Sequence, residues 1–326
     1  MKFKTALRAA IASLYSLSTA HAAIPESDAF NKFIAQMVSE HHFNADALKN
    51  LFQSVEIQEQ ILAAMTKPAE AKPWYQYRQI FMTPARIEGG VKFWQDNETT
   101  LQAVEQQYGV PAEIIVAIIG VETHYGKNTG KYRVIDALAT LGFAYPPRSD
   151  FFLKELENFL LLSREENLNP LQPLGSYAGA MGLGQFMPSS YRTYAKDFDQ
   201  DAKRDIWQNP ADAIASVANY FAANKWQPGE QIAFPVSANG EIYKQALSKG
   251  VKPDTSINQL RQLKVNLPSG LADNLAGKLL SYQLPDGEEL WLGLHNFYVI
   301  TRYNHSPLYA LAVYQLSQEI RQRIGH

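Results

Sequence analysis

The chain carries one glutamate where a charge should be costly. The run Pro111-Ala-Glu-Ile-Ile-Val-Ala-Ile-Ile-Gly-Val-Glu122-Thr-His-Tyr-Gly126 has the signature of a helix. Pro111 stands at the first helical position and Gly126 follows the end. Ile115, Ile118, Ile119 and Glu122 have the spacing of one helix face, so the carboxylate points with the isoleucines toward apolar surroundings. Desolvation disfavours the charged form and raises a carboxyl pKa. A raised pKa is what a general acid working near neutral pH requires. A buried glutamate held by one hydrogen-bonded partner would look the same, and the helix by itself does not separate the two.

A second segment has unusual chemistry. Gly175-Ser-Tyr-Ala-Gly-Ala-Met-Gly-Leu-Gly-Gln-Phe-Met-Pro-Ser-Ser-Tyr191 places four glycines within the ten positions from Gly175 to Gly184 and then opens a helix at Pro188. Glycines at that density let a backbone pass close to another backbone or to a ligand. No Gly-Lys-Ser/Thr follows, which excludes a phosphate loop, and Ser176 directly after Gly175 does not make a nucleophile elbow. A packing crossover remains open. His124 lies two residues from Glu122, off its helix face and in no His-Glu-x-x-His pattern, so it reads as a rim or packing histidine. The pair His41-His42 reads as a solvated helix end.

Taken together, Gly120-Val-Glu122-Thr123 and the glycine-rich segment resemble the goose-type lysozyme and lytic transglycosylase superfamily. There a catalytic glutamate ends a helix and a glycine-rich stretch with a glutamine lines the sugar groove. Further blocks occur in one order: Asp136-Ala-Leu-Ala-Thr-Leu141, Gly179-Ala-Met-Gly-Leu-Gly-Gln-Phe-Met-Pro-Ser-Ser190, Ala213-Ile-Ala-Ser-Val-Ala-Asn-Tyr220 and Tyr303-Asn304. In this order they are similar to the lytic murein transglycosylase B family, glycoside hydrolase family 103, from about residue 28 to the C-terminus.

The resemblance implies an enzyme that cuts the β-1,4 bond between N-acetylmuramic acid and N-acetylglucosamine in peptidoglycan. Glu122 would be the one acid/base, and the muramic acid's own C6 hydroxyl would close a 1,6-anhydro ring without water. No second carboxylate is paired with Glu122 by a recognisable motif, whereas ordinary glycosidases use two. By the same resemblance Ser176 would bind the N-acetyl group, Gln185 would bond sugar hydroxyls or position Glu122, and Tyr303, Asn304 and Tyr309 would complete the groove wall. Read alone, Ser176 and Gln185 fit a turn serine and a loop cap equally well, and Tyr309 fits a buttress for a helix start. Arg148 stands where the family has two arginines for the acidic peptide stem. The first is Pro147 here, so stem recognition would rest on Arg148. A hydrolytic muramidase of the same fold and a non-catalytic peptidoglycan-binding scaffold are the rival readings.

One cofactor is suggested by spacing. Asp197, Asp199, Asp201 and Lys203 stand at alternate positions, as ligands do in an EF-hand loop. The family has such a loop, with a later acidic ligand matched by Asp212. Ala202 replaces the turn glycine and Gln208 replaces the terminal glutamate, and Asp212 just inside a helix starting Asn209-Pro210 could simply cap it. A structural calcium, not required for catalysis, is the expectation.

Residues 1–22 carry Lys2, Lys4 and Arg8, an apolar stretch from Ala9 to Leu17, and Ala20-His21-Ala22, the pattern of a cleavable secretory signal. The expected location is the periplasm. There is no cysteine, which excludes disulfides and thiolate metal sites and leaves no residue for a lipid anchor, so a soluble protein is expected. Removing residues 1–22 takes three basic and no acidic residues and moves the net charge from −2 to −5, against nonspecific nucleic-acid binding. The expected partners are glycan strands and, beyond them, cell-wall synthases or other murein hydrolases.

The elements that must position these groups are mostly helical. Helical patterning fills 28 to about 105 and continues at 111–123, 134–142, 149–166, 188–196 and 210–224. Turn residues then multiply, and Leu284-Pro-Asp-Gly287 between alternating runs signals a hairpin. A last helix is expected from Pro307 to Ile324. The expected fold is mainly α with a minor antiparallel β subdomain around a lysozyme-like core. Its divisions are a signal (1–22), an N-terminal helical region (23–105), a catalytic core (106–225), a small α+β subdomain (226–294) and a C-terminal segment returning to the N-terminal helices (295–326).

Overall fold

In the computed structural model, which describes residues 22–24, 26–66 and 72–325, the first two helices open where the sequence supplies a cap. Residues 1–21 of the expected signal lie outside the described residues. Ser27 Oγ accepts from Phe30 N at 3.2 Å to open α1 (Asp28–His41), and Asn44 accepts from Ala47 N at 2.8 Å to open α2 (Ala45–Phe52). β1 (Ala22–Ala23) pairs with β2 (Glu56–Ile57) ahead of α3 (Glu59–Thr66). Then come α4 (Trp74–Phe81), α5 (Pro84–Asp96), α6 (Glu98–Tyr108) and α7 (Ala112–Thr123). β3 (Tyr132–Arg133), α8 (Val134–Ala144), α9 (Ser149–Glu165), β4 (Leu174–Gly175), α10 (Pro188–Tyr194) and α11 (Pro210–Ala223) follow.

The chain next forms β5 (Ala233–Ala238), β6 (Thr255–Ser256), α12 (Ile257–Gln262), β7 (Val265–Asn266), β8 (Ala276–Gln283) and β9 (Glu288–Gly293). α13 (His295–Tyr303) and α14 (Pro307–Ile324) end it. The sheet runs β6-β8-β9-β5-β7 with every pairing antiparallel. The expected hairpin is β8–β9, registered Tyr282↔Glu289, with Gly287 at φ 94° in its turn.

Two helical cores meet around α7 and α8. In one, α5, α6, α11 and α14 surround α7, so Ile114 to Ile119 are all fully buried. The expectation of a single apolar face on this helix was too narrow: neighbours cover it all round. In the other, α1, α2 and α3 pack with α8, α9 and α10. The buried Asp136 of α8 accepts from Glu56 N at 3.1 Å and from Arg133 Nε at 2.6 Å, which joins β2 to the second core. The sheet has its own small core of Leu279, Leu292, Ile257 and Leu260, and Trp74 Nε1 donates to Glu289 at 2.6 Å to tie it to α4. α14 lies on α7, α5 and α4. His41, expected to be solvated, instead meets the buried carboxylate of Glu157 at 2.9 Å.

Candidate active site

Glu122 sits in the last turn of α7. The helix stops because His124 and Tyr125 both take left-handed conformations, at φ 53° and 58°. Two side chains hold that unusual end. The Thr123 hydroxyl lies 3.1 Å from Ile119 O and 3.0 Å from Leu183 O, and it accepts from Gly126 N at 3.0 Å. The Tyr125 hydroxyl donates to Arg86 O at 2.9 Å. Gly120 makes room for it: a Cβ at that position would stand 2.5 Å from the Tyr125 oxygen. A glycine within a helix costs about 1 kcal/mol against alanine, and here that cost admits the ring that ends the helix. Arg86 donates from its guanidinium to Gly120 O.

Tyr309, fully buried at the start of α14, donates its hydroxyl to Glu122 Oε1 at 2.6 Å. Burial pushes the Glu122 carboxyl up to about 7, and the Tyr309 hydrogen bond pulls weakly the other way. Burial, and after it the charge of Glu122, raises the phenols of Tyr77, Tyr303 and Tyr309, so the carboxyl is walled by three neutral tyrosines. The arrangement can keep a proton at neutral pH and release it to a substrate oxygen.

The glycine-rich loop is fastened to this wall. Tyr303 donates to Gly184 O at 2.5 Å, and Thr123 meets Leu183 O as described. β4 pairs with β3, so Gly175 crosses Gly130 so closely that a Cβ on Gly130, itself at φ 101°, would fall 1.9 Å from Gly175 O. Gln185 is left-handed at φ 53°, and its amide donates to Gly182 O at 3.0 Å and to Thr129 O at 3.2 Å. Ser176 Oγ accepts from Ala180 N at 3.0 Å and Ala178 N at 3.3 Å. Its lone pairs serve the turn, and its proton stays free to donate outward.

The structure thus joins Tyr309 to Glu122 directly, and Thr123 and Tyr303 tie the loop that carries Ser176 and Gln185 to the end of α7. Asn304 is exposed just past α13. Arg148 is exposed at the start of α9, its guanidinium 4.4 Å from the Phe151 ring centre and 5.2 Å from that of Phe152. Among the described residues no hydrogen bond or ion pair joins it to the Glu122 assembly. Sequence reasoning left Thr123, Tyr125 and Tyr77 without roles. Thr123 and Tyr125 lie in the run that ends at Gly126, whereas Tyr77 carries no signal until the chain folds.

In the acidic loop the carboxylate oxygens of Asp197, Asp199 and Asp212 converge within 4.8 Å of one another. Asp212 is fully buried and pushed up to about 6, first by burial and then by Asp199 and Asp197, while bonds from Phe198 N and Asp205 N, both at 2.8 Å, oppose this. Ala202 adopts φ 68°, the turn conformation in which a calcium loop has glycine. Asp201 does not join the cluster; its carboxylate accepts from Lys203 N at 2.9 Å. Mutual repulsion among three converging carboxylates is relieved by a divalent cation, so the donor set fits calcium.

With this geometry in view, comparison with known proteins gives one answer. The family described as "Transglycosylase SLT domain" matches residues 26–318. The chain is 45% identical over 299 residues to the membrane-bound lytic murein transglycosylase B of Escherichia coli strain K12, covering 89% of this chain and 81% of that one. It superposes on the soluble lytic transglycosylase SltB1 of Pseudomonas aeruginosa with TM-score 0.87 and 50% identity, covering 90% and 99% of the two chains. Against the Escherichia coli lytic transglycosylase Slt35 in complex with calcium the TM-score is 0.86 at 42% identity, covering 92% and 95%. A helical lysozyme-like body with a small antiparallel sheet, a half-buried acid at the end of its central helix and these similarities along nearly the whole chain make it a member of the lytic murein transglycosylase B family, the peptidoglycan lytic transglycosylases built on the SLT domain.

Proposed function

We propose that Glu122 carries every proton of the reaction. Protonated at rest, it gives its proton to the oxygen of the β-1,4 bond between N-acetylmuramic acid and N-acetylglucosamine, and the C1–O bond breaks. The resulting carboxylate takes the proton of the muramic acid C6 hydroxyl as that oxygen bonds to C1. A 1,6-anhydro ring forms, Glu122 is again neutral, and no water is consumed. What carries this reading is a carboxyl desolvated to a pKa of about 7 with a tyrosine hydroxyl as its hydrogen-bond partner.

Ser176 donates to the N-acetyl group, Gln185 presents its loop to sugar hydroxyls, Tyr303 and Asn304 form the groove wall, and the buried Tyr309 acts from behind it by holding Glu122. Arg148 meets the acidic peptide stem. Calcium held by Asp197, Asp199 and Asp212 steadies the 197–209 loop and takes no part in the chemistry; the convergent carboxylates and the calcium complex of the Escherichia coli relative support this. The protein works in the periplasm, a reading supported by the signal-like residues 1–22 and by its murein substrate. Among the described residues no helix is long and apolar enough to cross a membrane.

Digestion of purified sacculi tests the chemistry. Products ending in 1,6-anhydro-N-acetylmuramic acid, one water lighter than reducing ends, are expected, and Glu122→Gln lowers their release by on the order of 10²-fold or more. Ser176→Ala, which removes one donor and leaves the proton path, lowers it less. Reducing ends as the main product would convert the reading to a hydrolytic muramidase.

A further inference from the structure

Beyond Ser176 the surface stays concave, apolar at first around Leu168, Leu174 and Trp207 and then charged, with Glu165, Glu166, Lys203, Arg204 and Asp205 farther along. Leu174, two residues earlier, is 45% exposed, and its carbonyl accepts from Trp207 Nε1 at 3.1 Å. A hollow of about 340 Å³ opens there, with Thr129, Leu168, Gln172, Leu174, Trp207 and Gln208 in its walls. Through Leu168 and Trp207 it runs on into a second hollow of about 620 Å³ that reaches Tyr191 and Arg204. Trp207 is half-buried, and Tyr191 props its ring at 5.8 Å between centres. Single exposed apolar residues are ordinary, but several in one concavity with amides at its edge make a ligand surface. Pinning Leu174 O explains the indole nitrogen. It does not explain why Leu168 and Leu174 lie open beside the ring.

We propose that this trough holds the glycan strand beyond the sugars flanking the cut bond. Trp207 and Leu174 offer apolar surface to sugar rings, and the exposed amides of Gln172 and Gln208 bond hydroxyl and N-acetyl groups. The proposal rests on the sugar-binding places given above to Ser176 and Gln185, and both abut the trough. Leu174 is two residues from Ser176, about 7 Å along extended backbone, the scale of one sugar. The Gln185 amide bonds Thr129 O, and Thr129 is part of the wall. A neutral occupant is favoured because the charges of the second hollow nearly cancel, Glu165, Glu166 and Asp205 against Lys203 and Arg204, and Arg204 Nε is already on Glu166 at 2.6 Å. An acidic peptide would find that guanidinium neutralised.

The test compares the full chain with Trp207→Ala and Leu174→Asp on three substrates: long peptide-free glycan strands, a tetrasaccharide centred on the cut bond, and peptide-bearing strands as a control. Because the Leu174 side chain is exposed, Leu174→Asp carries the comparison if loss of the Trp207 ring unfolds the loop. The expected result is a KM on long strands raised about tenfold, the loss of one well-placed apolar contact, with tetrasaccharide turnover unchanged. Equal losses on both peptide-free substrates would mean that Trp207 merely props the loop and would overturn the proposal, as would no loss on either. A loss seen only with peptide-bearing strands would reassign the trough to the stem. If the wild-type chain forms no anhydro ends from any of the three substrates, the Glu122 reading fails separately, since the trough is read from the ratio between substrate lengths.

Discussion

Glu122→Gln should make the protein more stable, and increasingly so as the pH rises. The fold lifts this carboxyl from 4.5 to about 7, so the folded state holds its proton more tightly than the unfolded chain does. Ionisation therefore costs stability: the cost begins near pH 4.5, grows as the unfolded chain releases its proton, and is complete above pH 7. At about 1.36 kcal/mol per pH unit the full cost is about 3 kcal/mol, against less than about 1 kcal/mol at pH 5. Glutamine keeps the shape and cannot ionise. The gap between variant and wild type should widen by about 2–3 kcal/mol from pH 5 to pH 8, or about 4 °C in Tm at roughly 2.1 cal/mol/K per residue for a domain of this size. Thermal unfolding of both proteins, followed by circular dichroism at the two pH values, reads this directly. A gap that does not change with pH would show that the carboxyl is not held neutral, and the reasoning that makes it a general acid would fall with it.

Tyr309→Phe removes the hydrogen bond that holds the Glu122 pKa down, so the alkaline limb of the kcat/KM profile on muropeptide strands should move to higher pH; an unmoved limb would detach Tyr309 from the titration. Gly130→Ala drives a Cβ into Gly175 O at a left-handed backbone position, and it should destabilise by about 3 kcal/mol or more in urea unfolding and reduce muropeptide release through displacement of Ser176. Calcium at about 10 mM should raise the Tm by about 2 °C if the site binds with a Kd of about 1 mM, and Asp199→Asn should lose most of that rise; calorimetry showing no calcium effect on the wild type would remove the ion.

Local pattern was enough to find most elements and the central acid. Pro111, the isoleucines and Gly126 mark α7 because capping and apolar periodicity act within a few residues, and the same holds for Asp286-Gly287 in the β8–β9 turn and for α14, found at Pro307–Ile324 as expected. A carboxylate in an apolar helix announces its own desolvation, so Glu122 and its raised pKa were legible in the chain. What surrounds it was not. Tyr309 is 187 residues away, and only the packing of α14 on α7 sets its hydroxyl 2.6 Å from Glu122. Gly120 has its reason only in the fold, where it leaves the space that Tyr125 fills, and Thr123 gained its purpose from Leu183, 60 residues on. The metal loop shows the same division. Alternating aspartates proposed Asp201 and the family resemblance proposed Asp212; the backbone turned the Asp201 carboxylate to Lys203 N, and packing of the next helix brought Asp212 to Asp197 and Asp199. Sequence determines which groups are costly to bury and where the backbone can turn. The partners that repay those costs come from distant segments, and only the packed tertiary structure selects them.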